Sequence, residues 1–294
     1  MISNRVTGQT QIAEAKRNLA ASSSRMGELQ QRATDRLKIT KPSDDPAATA
    51  TAMKIRGELR ANTQYSRNID NGNAWLTAAD SALTRTTDLL GRVRDLTIQG
   101  ATGTMTGPGR EAIAMELDGL KNELLAAANT QYLGRSIFAG NSDAGAAFAA
   151  DFTFTGAPGS TVERRIGGSE TVRVDGDGSA VFGSGADSAF AMVASIAADM
   201  RSGAITGARV GDVDTFMAKA IGGQSDIGAR QARLLRAEGT NMDNAVALEN
   251  QRTSVEDLDL ADIAMDLSVQ DVNYQAALQV TSKVLGKSLM DFIS

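Results

Sequence analysis

The chain has no cysteine and no histidine among its 294 residues. Those two absences exclude thiolate nucleophiles, disulfides, histidine-based triads and the common zinc and copper sites. Only 4% of the residues are aromatic, with a single tryptophan, which disfavours a deep ligand pocket lined by rings. Any catalysis would have to use carboxylate, Lys, Arg, Ser or Tyr side chains alone. The composition therefore predicts a protein that is not an enzyme and that binds no cofactor or metal.

Long apolar runs are also missing. No uncharged apolar stretch approaches the roughly 18–20 residues that a membrane-spanning helix needs, so we expect no membrane insertion. The N-terminus lacks the hydrophobic segment of a cleaved signal peptide, which predicts a cytosolic protein or export by a route that reads no such peptide. The net charge is −5, and the basic residues are dispersed without aromatic neighbours, so we expect no nucleic acid partner.

Residues 255–294 contain no proline and form an uninterrupted helical pattern, with apolar residues at helical spacing on two faces. The first face comprises Leu267, Tyr274, Leu278, Leu285 and Phe292. The second face, on roughly the opposite side, comprises Val269, Val272, Ala276, Val280 and Val284. A helix at the edge of a domain needs one apolar face, whereas a helix with two must be covered from two directions. Other copies of the chain are the expected cover, so this pattern predicts an assembly subunit.

The N-terminal segment offers a partner for that helix. Ile12, Leu19 and Met26 repeat every seven residues, and Ala15, Ser22 and Leu29 follow each of them by three places. Residues 1–60 contain 11 Lys and Arg against 6 Asp and Glu, whereas residues 255–294 contain 2 against 7. Matching heptads and opposite charge predict that the two terminal helices pair. The alternative is that both charged surfaces are simply the solvated faces of ordinary helices.

The segment after the first helix is punctuated by prolines at residues 42 and 46. Ser43, Asp44 or Asp45 can cap the next helix, and Pro46 suits the first helical position. Two adjacent carboxylates could instead belong to a metal or acid–base site. No third ligand is in view, so the sequence favours capping.

The central helical regions are long. Ile69, Leu76, Leu83 and Leu90 repeat every seven residues within a predicted helix from residue 46 to about 99, where three glycines could introduce bends. A turn over residues 100–109 and a helix over about 110–132 complete an antiparallel hairpin. Helix resumes at about 188–200 and again from 212 to about 252, with an interruption expected at residues 222–223. Asn241 is the polar member of a heptad there, which is more often a register device than a ligand.

The segment 140–187 differs from its surroundings because it is rich in Gly, Ala and Ser. The run 172–182 predicts two strands around a glycine-rich turn. Asp175 and Asp177 could also suggest a calcium loop, but the further acidic positions and the distal Glu of an EF-hand are missing. A hairpin turn is the favoured interpretation, and the segment as a whole is expected to form a small β domain.

The sequence thus predicts a mainly α fold with a small β insert. The N- and C-terminal halves are expected to form a long antiparallel helical bundle or coiled coil, with the Gly-rich β domain inserted in the middle. Three domains are expected: a terminal coiled coil (1–40 with 255–294), a helical bundle (41–139 with 188–254) and the insert (140–187).

Four segments resemble the flagellin superfamily of bacterial axial proteins. They are Lys38-Ile-Thr-Lys-Pro-Ser-Asp-Asp-Pro-Ala47, Leu133-Gly-Arg-Ser-Ile-Phe-Ala-Gly140, Ile227-Gly-Ala-Arg230 and Ser254-Val-Glu-Asp-Leu-Asp-Leu-Ala261. The resemblance covers roughly residues 1–140 and 188–294 and fades in the insert. It implies a structural subunit of the flagellum without catalysis. It further implies that the terminal helices form an inner tube and contact other subunits there.

Two segments favour the hook–filament junction branch of this superfamily. The Phe-Ala-Gly ending at residues 138–140 and the C-terminal segment 285–292 are typical of it, whereas filament flagellins tend to end in a Gln/Asn-rich segment closing on Leu-Leu-Arg. This branch implies a ring of copies of the chain between hook-associated protein 1 and flagellin. It also implies an export chaperone, the flagellar type III route and an extracellular location in the flagellum. The alternative is a self-polymerising filament flagellin.

Overall fold

The computed structural model describes the backbone of residues 2–102, 105–157, 159–205 and 207–293, and the side chains of the same ranges between residues 10 and 284. The chain divides into two compact units, one formed by residues 1–60 with 245–294 and the other by residues 61–244. The protein is 74% helical with small two-stranded sheets, which confirms the predicted mainly α fold with a small β insert.

The first unit, residues 1–60 with 245–294, contains the two terminal helices. They are α1 (Ile2–Asp35) and α7 (Leu260–Ile293), and they pack against each other. The start of α2 (Pro46–Ala101) and the end of α6 (Ala208–Glu256) complete the unit. The predicted pairing of the N- and C-terminal helices is therefore present in the structure.

A short backbone contact follows α1 within this unit. Leu37 forms an antiparallel bridge with Asp257, and the Lys38 N–H donates to the Glu256 carbonyl at 2.8 Å. This contact removes residues 257–259 from helical geometry, and the Asp259 carboxylate then accepts from the Ala261 N–H at 2.8 Å at the start of α7. The expectation of an uninterrupted helical pattern from residue 255 onward was wrong at this point.

Glu256 is a buried carboxylate at the end of α6, only 3% exposed. Arg56 approaches it at 2.7 Å through Nε, and Arg252 donates from Nη1 to Oε2 at 3.2 Å. Glu249 and Glu256 in turn raise the pKa of Arg252 through their hydrogen bonds. Two guanidinium groups thus compensate the cost of burying the Glu256 charge.

The second unit, residues 61–244, holds the main core. It comprises the rest of α2 and α6 together with α3 (Gly107–Ala128), α4 (Gly178–Phe182), a short 3-10 helix (Gly185–Asp187) and α5 (Ala189–Ser202). Two antiparallel hairpins pair β1 (Gln131–Tyr132) with β2 (Arg135–Ser136) and β3 (Glu163–Arg165) with β4 (Thr171–Arg173). The core packs the α2 heptad residues Ile69, Leu76, Leu83 and Leu90 against an aromatic cluster, Phe138, Phe148, Phe182 and Phe190.

The run 172–182 does not form the predicted hairpin. Thr171–Arg173 pairs with Glu163–Arg165, and Gly178–Phe182 is a short helix that Asp177 caps by accepting from the Ala180 N–H at 3.0 Å. A side-chain cap ends the extended conformation after residue 176, so Val181 and Phe182 enter the core from a helix.

The predicted interruption of α6 at residues 222–223 was also wrong, because α6 is continuous. A Cβ at Gly223 would lie 2.9 Å from Val181 Cγ2 and 3.3 Å from Leu83 Cδ1. Gly223 therefore provides a close approach between α6 and its neighbours, which is a packing role that glycine can fill without ending a helix.

Asn241 lies in the core of the second unit opposite Asn62, and both residues are 8% exposed. The Asn62 Nδ2 donates to the Asn241 carbonyl at 2.9 Å, and the Asn241 Nδ2 donates to the Asn62 carbonyl at 3.2 Å. A one-residue slip of α6 along α2 would break both bonds. The pair thus has the geometry of the register device that the heptad pattern predicts.

We expect Asn241→Leu to lower the free energy of unfolding by about 1 kcal/mol, because one of the two side-chain hydrogen bonds is lost. Urea unfolding followed by fluorescence of the single tryptophan, Trp75, measures this, since Trp75 is 2% exposed within the same core. Asn244→Leu on the exposed side of α6 is the control, with an expected change within about 0.5 kcal/mol. Equal effects of the two substitutions would contradict the register role.

Candidate assembly surface

The pairing of α1 with α7 uses one heptad face from each helix. On α1 the half-buried residues are Ile12, Ala15, Leu19, Ser22, Met26 and Leu29. On α7 the buried or half-buried residues are Ile263, Leu267, Gln270, Tyr274, Ala277, Thr281 and Val284. The Gln270 Nε2 donates to both the carbonyl and the Oγ of Ser22 at 3.0 Å. Both faces alternate steps of three and four, as in a two-helix coiled coil.

Some α7 residues lie on a different face of the helix from the one that the sequence pattern predicts. Leu278 is 42% exposed and lies beside this face, whereas Ala277 and Thr281 occupy it. Val284 is half-buried on the α1 side instead of belonging to the second apolar face. Leu285 and Phe292 lie outside the residues whose side chains the structure describes. Ile263, Gln270 and Ala277 repeat every seven residues, and this spacing could have revealed the face if polar residues had been counted in it.

A second face of α7 is apolar and uncovered. Met265, Val269, Val272 and Val280 are 57–68% exposed, and Ala276 between them is exposed as well. These residues are separated by three or four positions, so they form one continuous stripe. An exposed apolar stripe of this kind is a candidate contact surface.

Charge does not join the two terminal helices directly. No ion pair links α1 to α7 among their residues between 10 and 284 whose side chains the structure describes. The exposed basic residues of α1 include Lys16, Arg17 and Arg25, and the exposed acidic residues of α7 include Asp262 and Asp266. Heptad packing and the Gln270–Ser22 bonds hold the pair, and the opposite charges remain available to other partners.

The segment between α1 and α2 has the capping arrangement that the sequence suggested. Asp45 Oδ1 accepts from the Ala48 N–H at 2.9 Å, and Pro46 is the first residue of α2. Asp44 Oδ2 instead accepts from the N–H groups of Thr40 and Lys41 at 3.3 and 3.1 Å. Ser43 is exposed. Asp45 is thus the residue that caps α2, while Asp44 closes the turn before it.

We expect the Asp44 carboxyl to titrate below its ordinary pKa of 3.8, because the Lys41 N–H and then the Thr40 hydroxyl stabilise the charged form. A lowered folded-state pKa means that the turn is fully stabilised above the unfolded pKa and loses this contribution as the pH falls through the folded pKa. Carboxyl-carbon NMR titration measures the midpoint. Thr40→Ala should raise it towards 3.8, and a wild-type midpoint at or above 3.8 would contradict the bond pattern.

Within the described residues, no group of three or more His, Cys, Asp or Glu residues has the arrangement of a metal site. The described helices also include none that is long and apolar enough to cross a membrane.

The N-terminal half of the chain is similar in sequence to known flagellar proteins. Residues 6–143 match the family model described as the bacterial flagellin N-terminal helical region. The flagellar filament 31.3 kDa core protein of Treponema maltophilum is 31% identical over 141 residues, which are 48% of this chain and 45% of that protein. The match thus spans less than half the length of this relative.

Solved structures extend the likeness to most of the chain. A protein of Vibrio parahaemolyticus assigned to the flagellar hook-associated proteins superposes with a TM-score of 0.67 at 21% identity, covering 73% of this chain and 100% of that one. The flagellar junction protein FlgL of Legionella pneumophila superposes with a TM-score of 0.58 at 16% identity, covering 69% of this chain and 100% of that one. The resemblance to the flagellin superfamily is confirmed: residues 6–143 match the flagellin N-terminal helical region, and the fold of the chain is similar to that of solved flagellar hook-associated and junction proteins.

Proposed function

We propose that the chain is a structural subunit of the bacterial flagellum that forms the junction ring between the hook and the filament. The observation that carries this proposal is the second, uncovered face of α7, from Met265 to Val280. The partner helix α1 already covers the first face, so the second has to be covered by another molecule. The fold shared with flagellar junction proteins supports the same function.

A second copy of the chain suits this face in charge as well as in hydrophobicity. The outward surface of α1 is basic and that of α7 is acidic, so the α7 face of one copy can approach the α1 side of the next. A head-to-tail contact of this kind uses two different patches, and such contacts build rings or helical assemblies. Subunits that meet in this way form an adaptor that performs no chemistry.

We further propose that different segments of the chain occupy different layers of the assembly. The terminal segments 1–40 and 255–294 form the inner tube of the assembly, as the superfamily resemblance implies. The segments 41–139 and 188–254 form an outer helical bundle, and the segment 140–187 faces the solvent. The inner-tube contacts include Ile12, Leu19, Met26 and Leu29 on α1 and Leu267, Tyr274, Leu278, Leu285 and Phe292 on α7.

The proposed partners follow from the position of the ring. Hook-associated protein 1 lies on one side and flagellin on the other, with further copies of the chain completing the ring. Before export by the flagellar type III route to the extracellular flagellum, a chaperone covers the C-terminal helix. The exposed apolar face of α7 supports this last contact, because an uncovered apolar stripe favours aggregation.

A filament flagellin is the second candidate. The family model describes a flagellin region, and the Treponema maltophilum relative is a filament core protein. A flagellin would propagate long filaments by itself, whereas a junction subunit would stop after a ring. The two functions therefore differ in the length of the polymer that the purified chain forms.

The test mixes the purified full-length chain with filament seeds, free flagellin, or both, and inspects the products by negative-stain electron microscopy. A junction subunit is expected to bind seed ends and to promote flagellin growth without extending seeds by itself. Long filaments from the chain alone would overturn the junction function in favour of flagellin. For a junction subunit, immunogold labelling of intact flagella is expected at the hook end of the filament only.

A further inference from the structure

The helix α6 carries a second heptad pattern besides the one that it buries. The core positions are Val213, Ala220, Ile227, Leu234 and Asn241, all 8% exposed or less. A second set of positions spaced by four and three residues starts one residue later on the helix. We call it the α6 seam, and its members are Ile221, Ser225, Gly228, Ala232, Leu235, Gly239 and Met242.

The α6 seam is accessible and free of charge. Ile221, Leu235 and Met242 are 48%, 61% and 64% exposed, and the small residues between them are exposed or half-buried. None of the seven positions is charged, although the whole chain has 22% charged residues. A solvated helix face places charged and polar residues at such positions. The seam therefore has the composition of a contact face and lacks a partner among the described residues of the second unit.

The order of side-chain sizes along the seam specifies the shape of that partner. One heptad position holds the large residues Ile221, Leu235 and Met242, and its fourth member is the small residue Gly228. The other position holds only small residues, Ser225, Ala232 and Gly239. When two such helices run antiparallel, the two heptad positions face each other across the pair, so each large side chain meets a small one. A parallel pair would place large residues against large ones and leave small ones facing a gap.

We propose that the α6 seam binds the α6 seam of a second copy of the chain in antiparallel orientation. The two-fold axis then passes within about two residues of Ala232, because the seam is centred there. This pair goes beyond the junction function proposed above, since it is closed and cannot propagate into a ring or filament. It is a separate form of the soluble chain.

Charges beside the seam are compatible with this antiparallel pair. The flanking positions on one side are Gln224, Gln231 and Glu238, so glutamine amides can face Glu238 of the second copy. On the other side they are Gly222, Ala229, Arg236 and Asp243, where Arg236 faces a small residue near the axis. No like charges oppose each other, and like-charge opposition is the usual barrier to self-pairing.

Pulsed electron paramagnetic resonance can test both contact and direction. The chain has no cysteine, so Ala229→Cys and Asp243→Cys each provide one thiol for a nitroxide label. The labels flank the seam without occupying it. In the antiparallel pair, the distance between the two copies' labels is roughly 25 Å longer at position 243 than at 229, from about 1.5 Å of rise per residue. Similar short distances at both positions indicate a parallel pair and would overturn the proposal.

Sedimentation equilibrium of the full-length chain tests the energetics. Leu235→Asp should weaken the dimer at least about 100-fold, because each pair would bury two uncompensated charges. The matched control is Met115→Asp on α3, which is also exposed (60%) and should leave the dimer unchanged. Circular dichroism melts verify that both variants fold. A monomeric wild-type chain at high concentration, or equal dimerisation of the two variants, would refute the seam contact.

Discussion

Val272→Asp is expected to abolish incorporation of the chain into flagellar assemblies while leaving the isolated protein folded. Val272 is 63% exposed at the centre of the uncovered α7 face, so the substitution removes no internal packing. In the assembly the same position is proposed to lie against another subunit. A carboxylate buried there without a partner costs several kcal/mol, which corresponds to a loss of more than about 100-fold in affinity. Incorporation onto filament seeds, measured by electron microscopy and pelleting, reports the effect.

The control for Val272→Asp is Ser282→Asp on the same helix. Ser282 is exposed, and at about 3.6 residues per turn it lies on neither the α1 face nor the uncovered face. It introduces the same charge, so both variants carry the same net charge and the same added helix-surface carboxylate. Ser282→Asp should incorporate normally. If both variants fail, the added charge acts at long range, and if both succeed, the uncovered face is not an interface.

Apolar heptad spacing predicts the contact face of α1 correctly and that of α7 only in part. The α1 face was predictable in full, because Ile12, Leu19 and Met26 are large apolar residues at a regular spacing. On α7 the same rule selected Leu278, which is 42% exposed, over Thr281, which is 7% exposed. A threonine can fill a helix interface when its hydroxyl bonds to its own helix, and Thr281 Oγ1 donates to the Ala277 carbonyl at 2.7 Å. A rule that counts only apolar residues therefore does not identify Thr281 as part of the contact face.

In the insert, the short alternation of apolar residues predicts the wrong strand as the pairing partner of Thr171–Arg173. Val172 and Val174 alternate as strand residues do, and both are buried. The strand that pairs with Thr171–Arg173 precedes it, at Glu163–Arg165, whose charged sequence gives no strand signal. Strands of three residues carry too little pattern to be recognised, and their partners are set by tertiary packing instead of local preference. The long helices were predictable because their periodicity extends over many turns.

Asp175 is fully buried beside β4 and is held there by an ion pair and a backbone hydrogen bond. Arg173 donates to its carboxylate from Nε and Nη2 at 3.0 and 2.8 Å, and the Val162 N–H donates to Oδ1 at 2.7 Å. Asp175→Ala leaves a guanidinium and a backbone N–H without their acceptor. We expect a loss of about 3 kcal/mol in the free energy of unfolding, at the lower end for a broken buried ion pair because Arg173 is partly exposed. Urea unfolding followed by Trp75 fluorescence measures it.

Asp177→Asn is the matched control for Asp175→Ala, and it also separates a structural role from calcium binding. An asparagine still caps α4 by accepting from the Ala180 N–H, so Asp177→Asn should change the free energy of unfolding by less than about 0.5 kcal/mol. The oxygens of Asp175 are already bonded to Arg173 and Val162, so added calcium should leave the wild-type midpoint unchanged. An upward shift with calcium that both substitutions remove would instead identify the pair of carboxylates as a calcium site.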